Sequence, residues 1–165
     1  MDPAAKDYLT LFAEVAIAVA ALSGIIMVLA VSGRRLSKEQ VAQIATQLRM
    51  ALIVTVYSLL PLLLVNVDIE GAALWRILAV AYMGMFVYIG IGLAQGRATY
   101  GQELSEKSRR AGGVVGYSAL VLMSLNLWLA VAWPYLMQLT IALVMSIYLF
   151  LDFIIQILRE NSDGG

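Results

Sequence analysis

The chain has 165 residues, of which 62% are hydrophobic and only 13% are charged. Soluble globular domains carry about 25% charged residues, so this composition excludes a water-soluble domain, which needs more polar surface to cover its core. The formal net charge of zero argues against nucleic acid as a partner. The chain contains no Cys and no His, which excludes disulfides, Cys or His metal sites and histidine-based acid–base catalysis.

Five apolar runs are long enough to cross a bilayer, whose hydrocarbon core of about 30 Å requires about 20 residues of helix. The runs cover residues 8–31, 50–67, 77–95, 114–133 and 135–158. They predict an all-α integral membrane protein, with residues 1–165 as a single transmembrane helical domain. Pro134 divides the last apolar stretch into two spans. Four spans with a long bent last helix is the alternative.

The first predicted span contains an acidic residue. Asp2 as a cap and Pro3 as the first helical residue predict an early helix start. Glu14 then lies about 9 Å inside an outer boundary taken at Tyr8. A charged group at such a depth is a candidate for an ion pathway, and a structural bond to a neighbouring helix or solvation near the surface is the alternative.

Small residues recur four or eight positions apart in the first and third predicted spans, and such faces let helix backbones approach closely. They are Ala16, Ala20 and Gly24 in the first span, and Gly84, Gly92 and Gly96 in the third. The pattern predicts close packing, either on other spans of the same chain or on other subunits.

The second helix is predicted to begin before its apolar run. Ser37 and Gln40 have the spacing of a capping box, which marks a helix start. An apolar stripe follows at helical spacing, formed by Val41, Ile44, Ala45 and Leu48. These residues predict an amphipathic cytoplasmic extension of about three turns, whose stripe packs on a neighbouring subunit or lies on lipid headgroups. Pro61 is predicted to kink the span itself.

Basic residues are concentrated on one predicted side of the membrane. Nine of the eleven Lys and Arg residues lie in two connections and the C-terminal segment. The positive-inside rule makes this side cytoplasmic, with the N-terminus outside and the C-terminus inside. Candidates for contact with anionic lipid or a cytoplasmic partner protein are Arg34, Arg35, Lys38, Arg109 and Arg110. An aromatic belt is expected at the outer interface, formed by Tyr8, Trp75, Trp133 and Tyr135.

The fifth predicted span carries an acidic residue on a polar face. Asp152 lies about 10 Å from the inner end of the span. Gln138 and Arg159 share its face at multiples of seven residues, and Gln156 is one turn away. This face is predicted to point at protein or water. Asp152, Gln138 and Gln156 are candidates for an ion pathway, and local pairing of Asp152 with Gln156, Tyr148 or an Arg is the alternative.

Asn126 in the fourth span is a further candidate for the ion pathway. A hydrogen bond across helices is the favoured interpretation for Asn126, and the same interpretation applies to Ser23 and Ser124.

Several segments in the first half of the chain carry a resemblance to other proteins. They are Ala13-Glu14 before a small-residue span, Ser32-Gly33-Arg34-Arg35 with Leu36-Ser37, Pro61-Leu62-Leu63-Leu64, and Leu74-Trp75-Arg76. In this order they resemble a group of small polytopic inner-membrane proteins of bacteria that have no assigned activity. The resemblance implies a location in the bacterial cytoplasmic membrane, and it carries over no functional residue.

The first functional hypothesis is a homo-oligomeric inner-membrane protein that forms a cation or proton channel or an ion-sensing assembly, with its pathway along the Glu14 and Asp152 faces. The alternative is a non-transporting scaffold, sensor or effector subunit that docks a partner through its cytoplasmic basic loops. An intramembrane enzyme is not expected, because the two acids lie towards opposite leaflets, over about 10 Å apart along the axis. No cofactor is predicted, and the expected partners are the lipid bilayer and further copies of the chain.

Overall fold

The computed structural model describes residues 2–33, 37–94 and 106–163. Within these ranges the chain forms five α-helices and no strand: α1 (Pro3–Gly33), α2 (Lys38–Val65), α3 (Gly71–Ala94), α4 (Glu106–Leu129) and α5 (Ala132–Asp163). Each helix is long and apolar enough to cross a membrane. The predicted all-α fold with five spans is therefore confirmed. The four-span alternative is wrong, because α4 and α5 are separate helices that pack on each other.

Helix α5 is the centre of the bundle, because it contacts all four other helices. Helix α1 packs mainly on α2, and α4 packs on α3 and α5. We call the end where α2 and α4 begin and α5 ends the basic end, after the Lys and Arg residues of its connections. At the opposite end, which we call the short-connection end, residues 66–70 join α2 to α3 and residues 130–131 join α4 to α5.

Buried apolar side chains form two clusters. The cluster nearer the short-connection end contains Leu9, Leu74, Trp75, Leu78, Ala79, Tyr82, Ala119, Met123, Tyr135 and Leu139. The cluster nearer the basic end contains Ala16, Met50, Val54, Ala111, Val115, Ala142, Leu143 and Leu149. Large apolar residues also cover the outward faces of all five helices, as expected for a surface that lipid surrounds. The chain is thus a multi-pass membrane protein.

Both predicted helix starts are confirmed. The backbone N–H of Ala4 donates to Asp2 Oδ1 at 3.0 Å, and α1 begins at Pro3. The backbone N–H of Gln40 donates to Ser37 Oγ at 3.2 Å, and the Ser37 N–H donates to Gln40 Oε1 at 2.9 Å. The capping box therefore starts α2 three turns before its most apolar part, in one continuous helix.

The turn between α4 and α5 differs in position from the prediction. It lies at residues 130–131, with Ala130 in the left-handed region at φ 52°. The Asn126 side chain closes the turn, because its Oδ1 accepts the backbone N–H of Val131 at 3.1 Å. Pro134 instead lies in the first turn of α5, where the N–H that proline lacks has no intrahelical partner in any case.

The predicted aromatic belt is wrong for two of its four members. Trp75 and Tyr135 are buried in the bundle, with ring centroids 5.9 Å apart. The other two members, Tyr8 and Trp133, are exposed. The two buried rings fill the interior at the short-connection end, where they also pack on Leu9.

Pro61 creates a contact between α2 and α5. Helix α2 continues through Pro61 to Val65, but a proline has no N–H to donate to the carbonyl four residues earlier, which belongs to Tyr57. The Tyr135 hydroxyl of α5 donates to that carbonyl at 2.6 Å. The predicted kink of α2 stays a prediction.

We expect Tyr135→Phe to lower the free energy of unfolding by about 1–3 kcal/mol, because the Tyr57 carbonyl then has no donor inside the bundle. Tyr117→Phe is the control: Tyr117 is exposed on α4, and no hydrogen bond joins its hydroxyl to another described residue. Its removal is expected to leave stability unchanged or slightly higher. Thermal unfolding of both variants in one detergent makes the comparison, and equal losses would contradict this role of Tyr135.

Candidate functional site

Glu14 lies on the outward surface of α1. It is midway along the apolar span Pro3–Ile26, about 17 Å from its start. The predicted 9 Å is measured from Tyr8 and not from Pro3, so the two distances differ only in their reference residue. The Glu14 side chain is exposed, and no hydrogen bond or ion pair joins it to another described residue. Within one chain, Glu14 therefore shares no site with Asp152.

Asp152 faces the interior near the basic end, with its side chain 13% exposed. Its Oδ1 accepts a hydrogen bond from the Lys107 ammonium of α4 at 2.5 Å. Its Oδ2 accepts from the Gln43 amide of α2 at 3.1 Å and from the Gln156 amide of α5 at 2.8 Å. We call these four side chains the Asp152 cluster. The carboxylate thereby joins three helices.

Gln43 orients the carboxylate. Its side chain is fully buried, and its Nε2 also donates to the Leu149 carbonyl of α5 at 3.2 Å. Its Oε1 accepts from Gln156 Nε2 at 3.4 Å. The two amides and the carboxylate of Asp152 therefore form one connected network, and local pairing of Asp152 with Gln156 is confirmed.

The sequence prediction missed the contribution of α2. The residues of the predicted apolar stripe differ in burial, because Ile44 is buried and Val41 is exposed. The buried face of α2 instead carries Gln40, Gln43 and Gln47. Their spacing of three and four residues was a visible signal of a polar helix face turned towards protein.

Lys107 supplies the positive charge of the cluster. Its side chain is 51% exposed and lies just outside the apolar span Arg109–Leu129. The hydrogen bond with Asp152 raises the pKa of Lys107 above its usual range, which keeps the ammonium charged. The ammonium sits on a flexible stem that reaches water.

Polar groups continue into the bundle beyond the cluster. Ser146 Oγ donates to the Gln47 carbonyl at 3.3 Å. Gln138, about 21 Å along α5 from Asp152, is fully buried and donates from Nε2 to the Val115 carbonyl at 3.1 Å. Two buried atoms, Gln47 Nε2 and Ser58 Oγ, have no hydrogen-bond partner in the described part of the chain, whereas the Tyr82 hydroxyl and the Gln138 amide interact with each other.

Asn126 has a structural role. Besides closing the turn before α5, its Nδ2 donates to the Trp75 carbonyl of α3 at 3.4 Å. Ser124 also reaches α3, through the Met83 sulfur at 3.9 Å. Ser23 does not bond across helices, because its hydroxyl donates to Val19 of its own helix at 2.6 Å.

The predicted packing residues fall into different environments. Ala16 is fully buried, whereas Ala20 and Gly24 are half-buried. Gly84 is exposed, and a Cβ atom at Gly84 or at Gly24 would meet open space. Gly92 lies in α3, and Gly96 lies outside the described residues.

The structure describes some of the basic residues that were predicted to contact lipid or a partner protein. Arg109 and Arg110 are exposed at the start of α4, and Arg110 pairs with Glu106 one turn before it. Arg34 and Arg35 lie outside the described residues, as does the side chain of Lys38.

Together, the helices and these side chains define a five-helix membrane protein with a charged and amide-lined cluster at one end of its interior. Comparison of the chain with protein-family models, curated proteins and solved structures finds no match. Because no relative indicates a function, the functional proposal rests on the geometry of the Asp152 cluster.

We expect Asp152→Asn to increase the rate at which an amine-reactive reagent modifies Lys107. The carboxylate raises the pKa of Lys107, so its loss lowers that pKa and enlarges the fraction of reactive neutral amine at a fixed pH. Lys6, exposed near the start of α1, is the internal control and should react equally in both proteins. Peptide mass spectrometry gives both rates, and an unchanged rate at Lys107 would contradict the ion pair.

Proposed function

We propose that this membrane protein passes cations, protons included, across the bilayer, and that Asp152 binds the cation at the basic end. One observation carries the proposal: a largely buried carboxylate holds a lysine ammonium beside two glutamine amides. Ionisable groups within spanning helices are costly and commonly mark ion pathways. Acidic groups at such positions favour cations over anions.

Lys107 acts in this proposal as a tethered cation. Its ammonium occupies the position that a free cation takes beside Asp152 Oδ1. When Lys107 swings into water, Gln43 and Gln156 keep the carboxylate in place through their bonds to Oδ2. The carboxylate, no longer paired with Lys107, then attracts a cation from solution. Lys107 therefore competes with the transported ion.

An unpaired buried group supports a route from the cluster into the bundle. Gln47 Nε2 has no hydrogen-bond partner within the part of the chain that the structure describes. Such groups cost free energy in an apolar interior, and water or a hydrated cation satisfies them. Leu143 and Leu149 belong to the apolar cluster in the same part of the bundle, so conduction requires this layer to become wet, as in a hydrophobic gate.

The excess of Lys and Arg in the connections supports a cytoplasmic position of the basic end. With this orientation, the Asp152 cluster is the inner binding site. The resemblance to small inner-membrane proteins supports a bacterial cytoplasmic membrane.

Flux into proteoliposomes tests the role of Asp152. Under a voltage step, the wild-type protein should admit cations into the liposomes. An entrapped pH dye measures the entry of protons, and separate assays measure the entry of K⁺ and Na⁺. Asp152→Asn should reduce this flux to that of empty liposomes, because the cation loses its binding charge. Glu106→Gln removes the same charge from an exposed site at the start of α4 and should leave the flux unchanged.

The tethered-cation role of Lys107 makes a separate prediction. Lys107→Gln should raise the flux, because it removes the competing ammonium. Arg109→Gln removes one positive charge two residues away, at an exposed site. This variant should leave the flux unchanged.

Liposomes with wild-type protein that stay as tight as empty ones under voltage, pH and tension steps would overturn the proposed transport. The docking alternative would then predict a partner that co-purifies from native membranes and is lost on combined Arg109→Glu and Arg110→Glu.

A further inference from the structure

A second basic residue lies beside the Asp152 cluster, and the proposed route does not use it. Arg159 is exposed on α5, and no hydrogen bond or ion pair joins it to another described residue. Arg159 follows Asp152 by seven positions, so the two side chains share one helix face. Lys107 of α4 is already paired with Asp152 on that face. Two basic side chains from two helices therefore lie near a single carboxylate.

Lys107 and Arg159 are close enough to repel each other. The hydrogen bond with Asp152 raises the pKa of Lys107, and the positive charge of the nearby Arg159 opposes that rise. Two neighbouring cations favour an anion that contacts both, because the anion replaces their repulsion with attraction. The two side chains are therefore complementary in charge to an anionic group.

The position of the two residues relative to the spans identifies the anion. Arg159 is the last residue of the apolar span Ala132–Arg159. Lys107 lies two residues before the apolar span Arg109–Leu129. Both residues are thus at the level of the lipid headgroups, towards which long basic side chains at helix ends extend. The phosphate of a lipid in the surrounding bilayer reaches the pair at this level.

The flexible stem of Lys107 allows two positions of its ammonium. In the observed position, the ammonium donates to Asp152 Oδ1 at 2.5 Å, within the span of α5. The side chain is 51% exposed, and in an extended rotamer it brings the ammonium to the headgroup level. A lipid phosphate and the Asp152 carboxylate therefore compete for one ammonium.

We propose that the phosphate of an anionic lipid binds Arg159 and Lys107 and draws the Lys107 ammonium away from Asp152. In the route proposed above, this exchange frees the carboxylate for a cation, so that an anionic lipid activates transport. The activation rests on the proposed function. The competition for Lys107 does not, because it follows from the positions and charges of the three side chains.

Lipid binding to the purified protein tests the site without any transport. Native mass spectrometry in a neutral detergent gives the affinity for phosphatidylglycerol. Arg159→Gln should lower this affinity by about fivefold, the contribution of one basic residue near an anionic surface. Arg76→Gln removes the same charge from an exposed position near the opposite end and should leave the affinity unchanged. Equal losses in the two variants would overturn the lipid site.

The competition for Lys107 makes a prediction in the same assay. Asp152→Asn releases Lys107, so the affinity for phosphatidylglycerol should rise by about fivefold or more, as reciprocal coupling requires. In a Lys107→Gln background, Asp152→Asn should give no such rise, because no ammonium is left to release. A rise that persists without Lys107 would overturn the competition and show only a general effect of the lost negative charge.

Cation flux into proteoliposomes tests the regulation. The wild-type protein should pass cations faster in vesicles containing phosphatidylglycerol than in vesicles of phosphatidylcholine alone. Lys107→Gln should keep only the smaller response that bilayer surface charge gives to any cation pathway, and a response equal to wild type would overturn the regulation. Inorganic phosphate added to phosphatidylcholine vesicles should not activate, and equal activation would overturn the assignment to lipid. Absence of flux in every vesicle would overturn the proposed function, whereas the binding assays decide the lipid site by themselves.

Discussion

Polar groups inside this five-helix bundle depend on one another for hydrogen bonds, because hydrocarbon offers none. This constraint explains the hydrogen bonds between distant parts of the chain. The carbonyl freed by Pro61 receives the Tyr135 hydroxyl. The turn before α5 is closed by Asn126, which also bonds to α3. In a soluble protein, water could satisfy these groups, and the contacts between helices would be less constrained.

Helix α5 carries much of this network. From the short-connection end to the basic end, it presents Tyr135, Gln138, Ser146 and Asp152 to its neighbours, each at a distance compatible with a hydrogen bond to α2 or α4. The apolar clusters pack the space between these points. The bundle therefore combines non-directional apolar packing with directional bonds that fix the register of α5 against α2.

The two acidic residues within the spans differ in their surroundings. Asp152 is nearly covered and has three donors from three helices, whereas Glu14 is exposed and has none among the described residues. Asp152 lies in a built site, in which one donor is the Lys107 ammonium.

The amino-acid sequence determined the features that depend on length or on near neighbours. The five spans follow from the lengths of the apolar runs, and the starts of α1 and α2 follow from cap residues within three or four positions of their partners. The candidate residues Asp152 and Gln156 were also predicted correctly as neighbours, since they are one helical turn apart.

Only the tertiary structure decided which faces meet. Gln43 bonds to Asp152 across 109 residues of sequence, and no local pattern encodes such a contact. Trp75 and Tyr135 were expected at the interface and lie in the core. The physical reason is that, in a membrane, both faces of a helix contact apolar material, so hydrophobic periodicity does not distinguish the inside from the outside. The polar residues carry that information, and their partners become known only when the helices are assembled.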